Sequence, residues 1–291
     1  MAANATGTRA PSAAASGTSN ATAGNSVPPP PASVATPCGS LGCLSFASAG
    51  AAFEHVLALH PRVLAVGETH AQDDSPRVPS STRRFAEQLL PHLAGKAKDM
   101  VIELVIANGK CGKAEKKTAE KQAPITEHQA PQDQNQFVAL GKLAKRMGIE
   151  PQALTPTCEE FEAIANAGET DIARMLQMVG DVTERELAAL LDKPENQEQI
   201  VLSYGGALHN DLVPRPGQEA WSFGPRLAAL TGSRYVELDL IVPEFIKDTE
   251  TWRALPWYAA YQSAEPSSDT LLYNPSPNSF VLIFPRQLAT P

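Results

Sequence analysis

A carboxylate and an imidazole stand one residue apart directly after a short apolar run. Gly67 closes the run Val63–Val66, and Glu68 and His70 follow it. A short apolar run that ends in glycine predicts a buried strand entering a tight turn. If the chain stays extended, Glu68 and His70 share a face, and they could ligate a metal or act as a base and its orienting partner. The alternative is a helix N-terminus, whose dipole favours Glu68 and which leaves His70 at the surface.

A second glycine–x–x–histidine sequence follows another apolar run. Residues 199–204 lead into Gly206, His209 follows it, and Asp211 comes two residues later. Each glycine lets the chain turn sharply and lets a ligand approach the backbone closely. Because the residues just past the ends of buried strands border the ligand crevice of α/β sheets, we expect the two turns, 67–70 and 206–209, to face one cleft.

A single glutamate interrupts another apolar run. Glu103 lies within Met100–Ala107 and has apolar neighbours on both sides. An ionised carboxylate in such surroundings is costly unless it meets a cation, a hydrogen-bond donor or a metal. The alternatives are a structural salt bridge to an arginine and an edge strand on which Glu103 faces water. With Glu68, His70 and His209 it forms a candidate catalytic set that could also hold a divalent metal and activate a water molecule.

The elements that must position these residues alternate between strands and helices. The strand candidates are residues 63–66, 100–107, 149–154, 199–204 and 233–242. The helix candidates are residues 51–59, 80–93, 133–146, 226–230, 251–262 and two or three short helices in 159–191, broken near Gly168 and Gly180. The runs 271–273 and 280–284 predict a terminal β-hairpin. The alternation predicts an α/β fold, in which helices flank a central, largely parallel sheet.

Three polar segments interrupt this pattern. Residues 1–44 form a predicted disordered tail, because Met1–Pro37 has a single charge and consists mainly of Ala, Ser, Thr, Gly, Asn and Pro. It has no apolar stretch of the kind found in secretory signals, although the true start of the chain could lie upstream. A single domain is predicted for 45–291. Within it, the loop 73–79 could cover the site, and 108–131 is a long polar insertion.

Charge and cysteine content narrow the functional classes. A formal net charge of -8 argues against nucleic-acid binding, and no apolar stretch is long enough to span a bilayer. We therefore expect a small-molecule or peptide ligand. The four cysteines lack zinc-finger spacing, and they permit one local disulfide and one long-range disulfide. Disulfides would suit an oxidising compartment outside the cytoplasm, and four unpaired cysteines are the alternative.

Several short motifs together resemble a known superfamily. They are Val-Gly-Glu-Thr-His-Ala at 66–71, Val-Ile-Glu-Leu at 101–104, Tyr-Gly-Gly-Ala-Leu-His at 204–209 and Phe-Gly-Pro-Arg-Leu at 223–227. In order and content they resemble the Tiki/ChaN/erythromycin-esterase superfamily, and most closely its ChaN-like haem-binding uptake branch. The resemblance covers about residues 60–242. It implies an α/β domain with paired Gly-x-x-His turns in a central cleft.

The branches of this superfamily imply different activities. They include metal-dependent proteases, an esterase that hydrolyses a cyclic ester, and haem-binding lipoproteins. The first hypothesis is a hydrolase or ligand-binding domain in which Glu68, His70, Glu103 and His209 line one cleft, with or without a metal, and Asp211 is a reserve ligand.

The second hypothesis is a non-catalytic haem- or iron-binding module tethered outside the cytoplasm. Haem would need a large apolar cleft and an axial ligand, for which three tyrosines are available. The residues expected to bind a cofactor are Gly67, Gly206 and Tyr204, and the further tyrosines are Tyr258 and Tyr261. A third reading is a structural relic that keeps the fold without a function.

Overall fold

The structure is a computed structural model that describes residues 35–72, 78–126, 133–168, 171–264 and 267–286. Most of the predicted tail and most of the predicted loop at 73–79 lie outside these residues. From residue 35 onward the described chain belongs to one compact unit.

Nine strands in the described residues form one sheet. They are β1 Thr36–Pro37, β2 Leu44–Phe46, β3 Val63–Glu68, β4 Ala97–Val105, β5 Glu150–Leu154, β6 Ile200–Gly206, β7 Tyr235–Ile241, β8 Thr270–Ser276 and β9 Ser279–Ile283. Their order is β1-β2-β8-β9-β7-β3-β6-β4-β5. Every pairing from β9 through β7, β3, β6 and β4 to β5 is parallel. The pairings of β8 with β9, β2 with β8 and β1 with β2 are antiparallel. The sheet is therefore mostly parallel, and the predicted α/β class is confirmed.

Helices cover both faces of this sheet. They are α1 Ala49–Leu57, α2 Ser81–Arg84, α3 Lys113–Thr126, α4 Asp133–Arg146, α5 Cys158–Ala165, α6 Asp171–Leu191, α7 Gly224–Leu230, α8 Glu250–Arg253 and α9 Tyr258–Ser263. The chain continues from α2 as a π-helix, Phe85–Leu89, and a 3₁₀ turn, Leu90–Leu93. Further 3₁₀ turns are Pro194–Asn196, Glu219–Trp221 and Pro243–Phe245.

The alternation of side chains along the strands divides the core between the two faces. On β7, Val236 and Leu238 face a cluster that also contains the inner residues of α1, α4 and the segment 85–93. Tyr235 faces a second cluster with α6 and α7. Because the central strands are buried on both faces, their sequences are nearly continuous apolar runs, as parallel sheets require.

Two helix predictions are wrong for identifiable reasons. The break expected near Gly180 is absent, since α6 runs through it. A β-carbon at Gly180 would lie 2.7 Å from the carbonyl oxygen of Trp221, so the glycine permits close packing rather than a turn. The helix expected at 251–262 is split into α8 and α9. Pro256 lies in the gap between them. Proline has no backbone N–H to donate to a helical hydrogen bond, and it disfavours helical geometry at the residue before it.

The predicted polar insertion at 108–131 contains a helix. The fourteen residues of α3 occupy its centre. A disulfide between Cys111 and Cys158 joins its start to α5. Thr118 Oγ1 also donates to the Phe161 carbonyl at 3.1 Å. These tertiary contacts stabilise a helix whose polar composition alone predicts a loop.

The second disulfide lies at the edge of the sheet. Cys38 bonds to Cys43, and the short strands β1 and β2 flank this pair. Both the local and the long-range disulfide of the sequence prediction are thus present. The pairing of β1 with β2 also extends the sheet into residues that the sequence prediction assigned to the tail. Among the described helices, none is both long and apolar enough to cross a bilayer.

Candidate functional site

The candidate site lies at the carboxyl ends of three adjacent strands. β3 pairs with β6 so that Glu68 stands beside Gly206. β6 pairs with β4, with Ile102 beside Tyr204. The strand order β3-β6-β4 therefore brings together the residues that end these strands, although about 140 positions separate Glu68 from His209. We call Glu68, His70, Glu103 and His209 the Glu/His site.

An irregularity in β4 sets the position of Glu103. Between Ile102 and Val105 the strand advances three residues, whereas its neighbour β5 advances one, from Ala153 to Leu154. Such bulges turn a side chain away from the regular alternation of a strand and are frequent beside active sites. Glu103 lies inside the bulge and remains partly exposed.

Glu68 and His70 form a hydrogen-bonded pair. His70 Nδ1 donates to Glu68 Oε1 at 3.0 Å. The other carboxylate oxygen accepts from Thr82 Oγ1, at 2.7 Å, and from the Tyr204 hydroxyl. Because a carboxylate only accepts, Nδ1 carries the hydrogen, and a neutral His70 has its basic lone pair on Nε2. A carboxylate orients the histidine of a catalytic triad in the same way.

Aromatic rings pack against the residues of this pair. Tyr204 is only 1% exposed, and its ring centroid lies 4.7 Å from that of Phe85 and 5.8 Å from that of Phe137. The imidazole of His70 lies 5.9 Å from Phe137. Glu68 is 4% exposed, and its carboxylate oxygens accept hydrogen bonds from the three donors that surround it.

His209 faces Glu103 across a short gap. Its Nδ1 donates to the Trp221 carbonyl at 2.9 Å, so Nδ1 carries a hydrogen whether the ring is neutral or charged. Nε2 lies 3.8 Å from Glu103 Oε1. This gap exceeds a direct hydrogen bond and suits a bridging water or an ion pair with protonated His209. Glu103 Oε2 accepts from the Gly206 N–H at 2.6 Å. Among the described residues, the partners of Glu103 are thus a backbone amide and a histidine, and none of them is the arginine of the structural alternative.

Gly206 marks the point where the two pairs meet. A β-carbon at this position would lie 3.3 Å from His70 Nε2, 3.5 Å from Glu103 Oε2 and 3.9 Å from His209 Cδ2. A cavity of about 10 Å³ beside it is lined by Glu103 and His209, among others. This is about the smallest cavity that can hold one water molecule. His70, Glu103 and His209 therefore approach one another at Gly206, and Glu68 is joined to them through its hydrogen bond to His70.

The two glycines act by allowing close approach rather than sharp turns. Gly67 lies inside β3 and Gly206 is the last residue of β6, and neither has a positive φ. A β-carbon at Gly67 would lie 2.5 Å from Asp239 Oδ1 and 2.8 Å from Asn210 Nδ2. Gly67 therefore borders a different group of side chains, which includes Asp239, whereas Gly206 borders the Glu/His site.

Three carboxyl groups meet beside Gly67. One oxygen from each of Asp211, Glu237 and Asp239 lies within 4.8 Å of the other two. We call this group the carboxylate cluster. Burial raises the pKa of Asp211 to about 6 and that of Glu237 to about 7, and it raises the pKa of Asp239 well above its ordinary value. Repulsion among the three carboxylates adds to the shifts of Glu237 and Asp239.

The predicted metal ligands of the Glu/His site are arranged as two pairs, Glu68 with His70 and Glu103 with His209. No three of its ligand atoms lie within 4.8 Å of one another, and the carboxylate cluster is the group of described residues that meets this condition. The predicted reserve ligand Asp211 belongs to the carboxylate cluster. Tyr204 is committed to Glu68, while Tyr258 and Tyr261 lie on α9 against Trp257, in a separate apolar cluster.

Sequence reasoning missed Thr82, Asn210 and the role of the Trp221 carbonyl. Nothing near Thr82 or Trp221 in the sequence signals a site, because their partners lie 14 and 12 positions away. A signal for the carboxylate cluster did exist. Glu237 and Asp239 alternate with apolar residues along β7, so both must face the same side of the sheet.

Comparisons with known proteins leave the family open. No family model matches the chain, and no curated protein matches it. Among solved structures, that of the type III effector HopBA1 matches with a TM-score of 0.38 and 10% sequence identity, over 79% of this chain and 90% of that chain. A likeness at this level carries no argument about the fold or the function.

Proposed function

We propose that the Glu/His site belongs to a ChaN/Tiki-like hydrolase that cleaves an ester or peptide bond, with His70 as the general base. The observation that carries this proposal is the hydrogen bond from His70 Nδ1 to Glu68 Oε1. It directs the basic Nε2 lone pair toward the space above Gly206, where Glu103 and His209 also converge.

The proposed reaction begins with a water molecule between these side chains. His70 Nε2 accepts a proton from this water, whose oxygen forms a bond to the carbonyl carbon of the ligand. The carbonyl electron pair moves onto its oxygen. When that pair returns, the bond to the leaving alcohol or amine breaks, and protonated His209 donates its Nε2 proton to the leaving group. Glu103 Oε1 lies 3.8 Å from His209 Nε2, so its carboxylate faces the ring nitrogen that donates this proton.

Glu68 acts through His70 rather than on the ligand. Because Thr82 and Tyr204 occupy its second oxygen, the carboxylate is held in one orientation and fixes the tautomer of His70. Removing such an orienting carboxylate from a catalytic triad lowers turnover by about 10⁴-fold, and general bases contribute about 10²–10⁴-fold.

The alternatives are a metal-dependent hydrolase and a non-catalytic haem- or iron-binding module. A metal held by the Glu/His site would require the side chains to move, since no three of their ligand atoms lie within 4.8 Å. The cavity of about 10 Å³ is far smaller than the pockets of about 300–1,000 Å³ that enclose organic ligands. These observations favour metal-independent hydrolysis of a ligand that enters from solvent. The two disulfides favour an oxidising compartment.

Hydrolysis of p-nitrophenyl acetate and of a fluorogenic peptide by the purified protein tests the proposal. We expect His70→Ala and His209→Ala to lose at least about 10²-fold in kcat/KM. His92→Ala is the matched control, because His92 also pairs with a glutamate, Glu54, at 2.7 Å but lies on the surface.

The outcomes separate the three possibilities. Retained hydrolysis in both site variants, or equal loss in His92→Ala, would refute the proposal. Hydrolysis that is abolished by EDTA and restored by Zn²⁺ or Mn²⁺, with elemental analysis showing one metal lost in His70→Ala, would support the metalloenzyme instead. A Soret band on haem titration without hydrolysis would support the haem-binding module.

A further inference from the structure

A cleft lies at the amino ends of the central strands, at the opposite edge of the sheet from the Glu/His site. Its volume is about 580 Å³, within the range of about 300–1,000 Å³ for pockets that enclose small organic ligands. Its lining comes from the end of α1 and from the residues that precede or begin four strands, at 60–62, 95–96, 197–200 and 234. Because β3 is six residues long, about 20 Å separates this amino-end cleft from the Glu/His site.

Two arginines occupy neighbouring positions in the amino-end cleft. β3 and β7 pair in parallel, with Val63 beside Tyr235. Arg62 and Arg234 stand one position earlier, and the Arg62 N–H donates to the Arg234 carbonyl at 2.7 Å. Both residues line the cleft. The strand register therefore places two guanidinium groups at the entrance of adjacent strands.

The positive charges of these arginines are only partly compensated. Burial lowers the pKa of Arg62, and the charge of Arg234 lowers it further, whereas the charge of Glu198 raises it. Arg62 Nη1 donates to the carbonyls of Asn196 and Gln199, which holds this guanidinium in one orientation. Among the described residues, neither arginine forms an ion pair, and the side chain of Arg234 has no hydrogen bond. The two like charges repel each other, and an anion between them would remove this repulsion.

The other basic group of the lining is already paired. Lys96 Nζ donates to both carboxylate oxygens of Glu54, at 3.1 and 3.0 Å. Glu54 also pairs with His92, at 2.7 Å, so this carboxylate is not available to neutralise the arginines. The donors that remain open in the cleft are therefore Nε and Nη2 of Arg62 and the guanidinium of Arg234.

We propose that the amino-end cleft binds a small organic phosphate, whose phosphate group lies between Arg62 and Arg234. A guanidinium is a planar fork whose N–H donors match two oxygens of an oxyanion. One fork satisfies the two oxygens of a carboxylate, whereas two neighbouring forks suit the three terminal oxygens of a phosphomonoester. Leu57, Pro61 and Ile200 add apolar surface to the lining, which the organic part of the ligand contacts.

Calorimetric titration of the full chain with AMP and glucose 6-phosphate, in a buffer of low ionic strength, tests the proposal. We expect at least one of these esters to bind with a stoichiometry of one and to raise the melting temperature. Adenosine and glucose lack the anion and should bind at least about tenfold more weakly. Inorganic phosphate lacks the organic part, and citrate offers carboxylates alone, so both should also bind more weakly than the better ester.

Variants of the two arginines make the test specific. Arg62→Lys keeps the charge but loses the fork, and Arg234→Gln removes an exposed charge without breaking a hydrogen bond. Each should weaken binding of the better ester at least about tenfold, while far-UV circular dichroism shows that both variants fold. Arg253→Gln is the matched control, because it removes the same charge from an exposed arginine that pairs with Asp248. Arg253→Gln and His70→Ala should both keep full affinity, so the outcome is independent of the proposed hydrolase.

Several results would overturn the proposal. Failure of both esters to bind at about 10 mM would exclude the phosphate site. Equal affinity for an ester and its uncharged counterpart would exclude the role of the anion. Inorganic phosphate or citrate that binds as tightly as the better ester would exclude an organic phosphate as the ligand. Full affinity in both Arg62→Lys and Arg234→Gln, or an equal loss in Arg253→Gln, would place the binding elsewhere.

Discussion

Replacing Tyr204 by phenylalanine tests the network that orients His70. The substitution removes one hydroxyl group and leaves the ring packed between Phe85 and Phe137. That hydroxyl donates to Glu68, whose carboxylate is buried. Since no cavity larger than a hydroxyl arises, the change in the free energy of unfolding should report the hydrogen bond rather than lost packing.

The expected magnitude follows from the charge of the acceptor. Hydrogen bonds to charged groups contribute about 1.5–3 kcal/mol, and neutral ones contribute about 0.5–1.5 kcal/mol. Tyr204→Phe should therefore cost about 2 kcal/mol. Tyr235→Phe, which loses a 2.6 Å bond to a backbone carbonyl, should cost about 1 kcal/mol. Tyr273 is equally buried, and its hydroxyl has no hydrogen bond within the described residues, so Tyr273→Phe should cost less than about 0.5 kcal/mol.

Urea unfolding at pH 7, followed by far-UV circular dichroism, measures all three variants under one condition. Equal slopes of the free energy of unfolding against urea concentration would show that the unfolded states of the variants are comparable. In the same preparations, p-nitrophenyl acetate hydrolysis should fall in Tyr204→Phe and stay unchanged in Tyr273→Phe. A cost for Tyr204→Phe no larger than that for Tyr273→Phe would mean that the hydroxyl does not hold Glu68, and the proposed orientation of His70 would lose its basis.

Three further predictions concern the site, the carboxylate cluster and the disulfides. Gly206→Ala places a methyl group 3.3 Å from His70 Nε2, so the rate of ester hydrolysis should fall at least tenfold. The free energy of unfolding measured in urea should change by less than about 1 kcal/mol. Unchanged hydrolysis kinetics would contradict this prediction. Because burial raises the pKa of Glu237 to about 7, the folded state keeps a proton that the unfolded chain loses near its ordinary pKa of 4.5. The contribution of Glu237 to the free energy of unfolding, measured in EDTA, should therefore be greatest below pH 4.5 and should fall as the pH rises to 7. Glu237→Gln should make the free energy of unfolding depend less on pH in this range. An unchanged pH dependence in this variant would contradict the raised pKa. Cys111→Ser removes a disulfide between residues 47 positions apart and should lower the free energy of unfolding, measured by urea titration, by about 4 kcal/mol. Cys38→Ser removes a disulfide between residues 5 positions apart and should lower it by about 2 kcal/mol. Equal losses in the two variants would argue against the chain-entropy account of disulfide stabilisation.

The four residues of the Glu/His site could be selected from the sequence because their signals are local. An apolar run that ends in glycine and is followed by a glutamate or histidine can be recognised within about ten residues. Glu68 and His209 belong to one site only because β6 lies next to β3, and no local sequence pattern specifies this neighbourhood. The general rule for strand ends in α/β sheets supplied that step, and the observed pairing of Glu68 with Gly206 agrees with it.

The parts that the sequence did not predict depend on contacts between distant segments. Gly180 is compatible with a helix because a backbone carbonyl packs on it, whereas the sequence alone predicts a break. The helix α3 is predominantly polar, and the disulfide of Cys111 with Cys158 attaches it to α5. Local propensity is a weak guide wherever such tertiary contacts determine the outcome.

The carboxylate cluster shows the same limit in a functional setting. The alternation along β7 predicts that Glu237 and Asp239 share a face, but not that Asp211 from the loop after β6 approaches them. That approach depends on the same segment that carries His209 toward Glu103. The Leu212 N–H donates to Glu237, and Asn210 Nδ2 donates to the Ala65 carbonyl in β3. The segment that positions His209 is thus attached to β7 and β3 through residues beside the cluster. A change in the protonation of the cluster should therefore act on His209 through the position of this segment and not through direct contact.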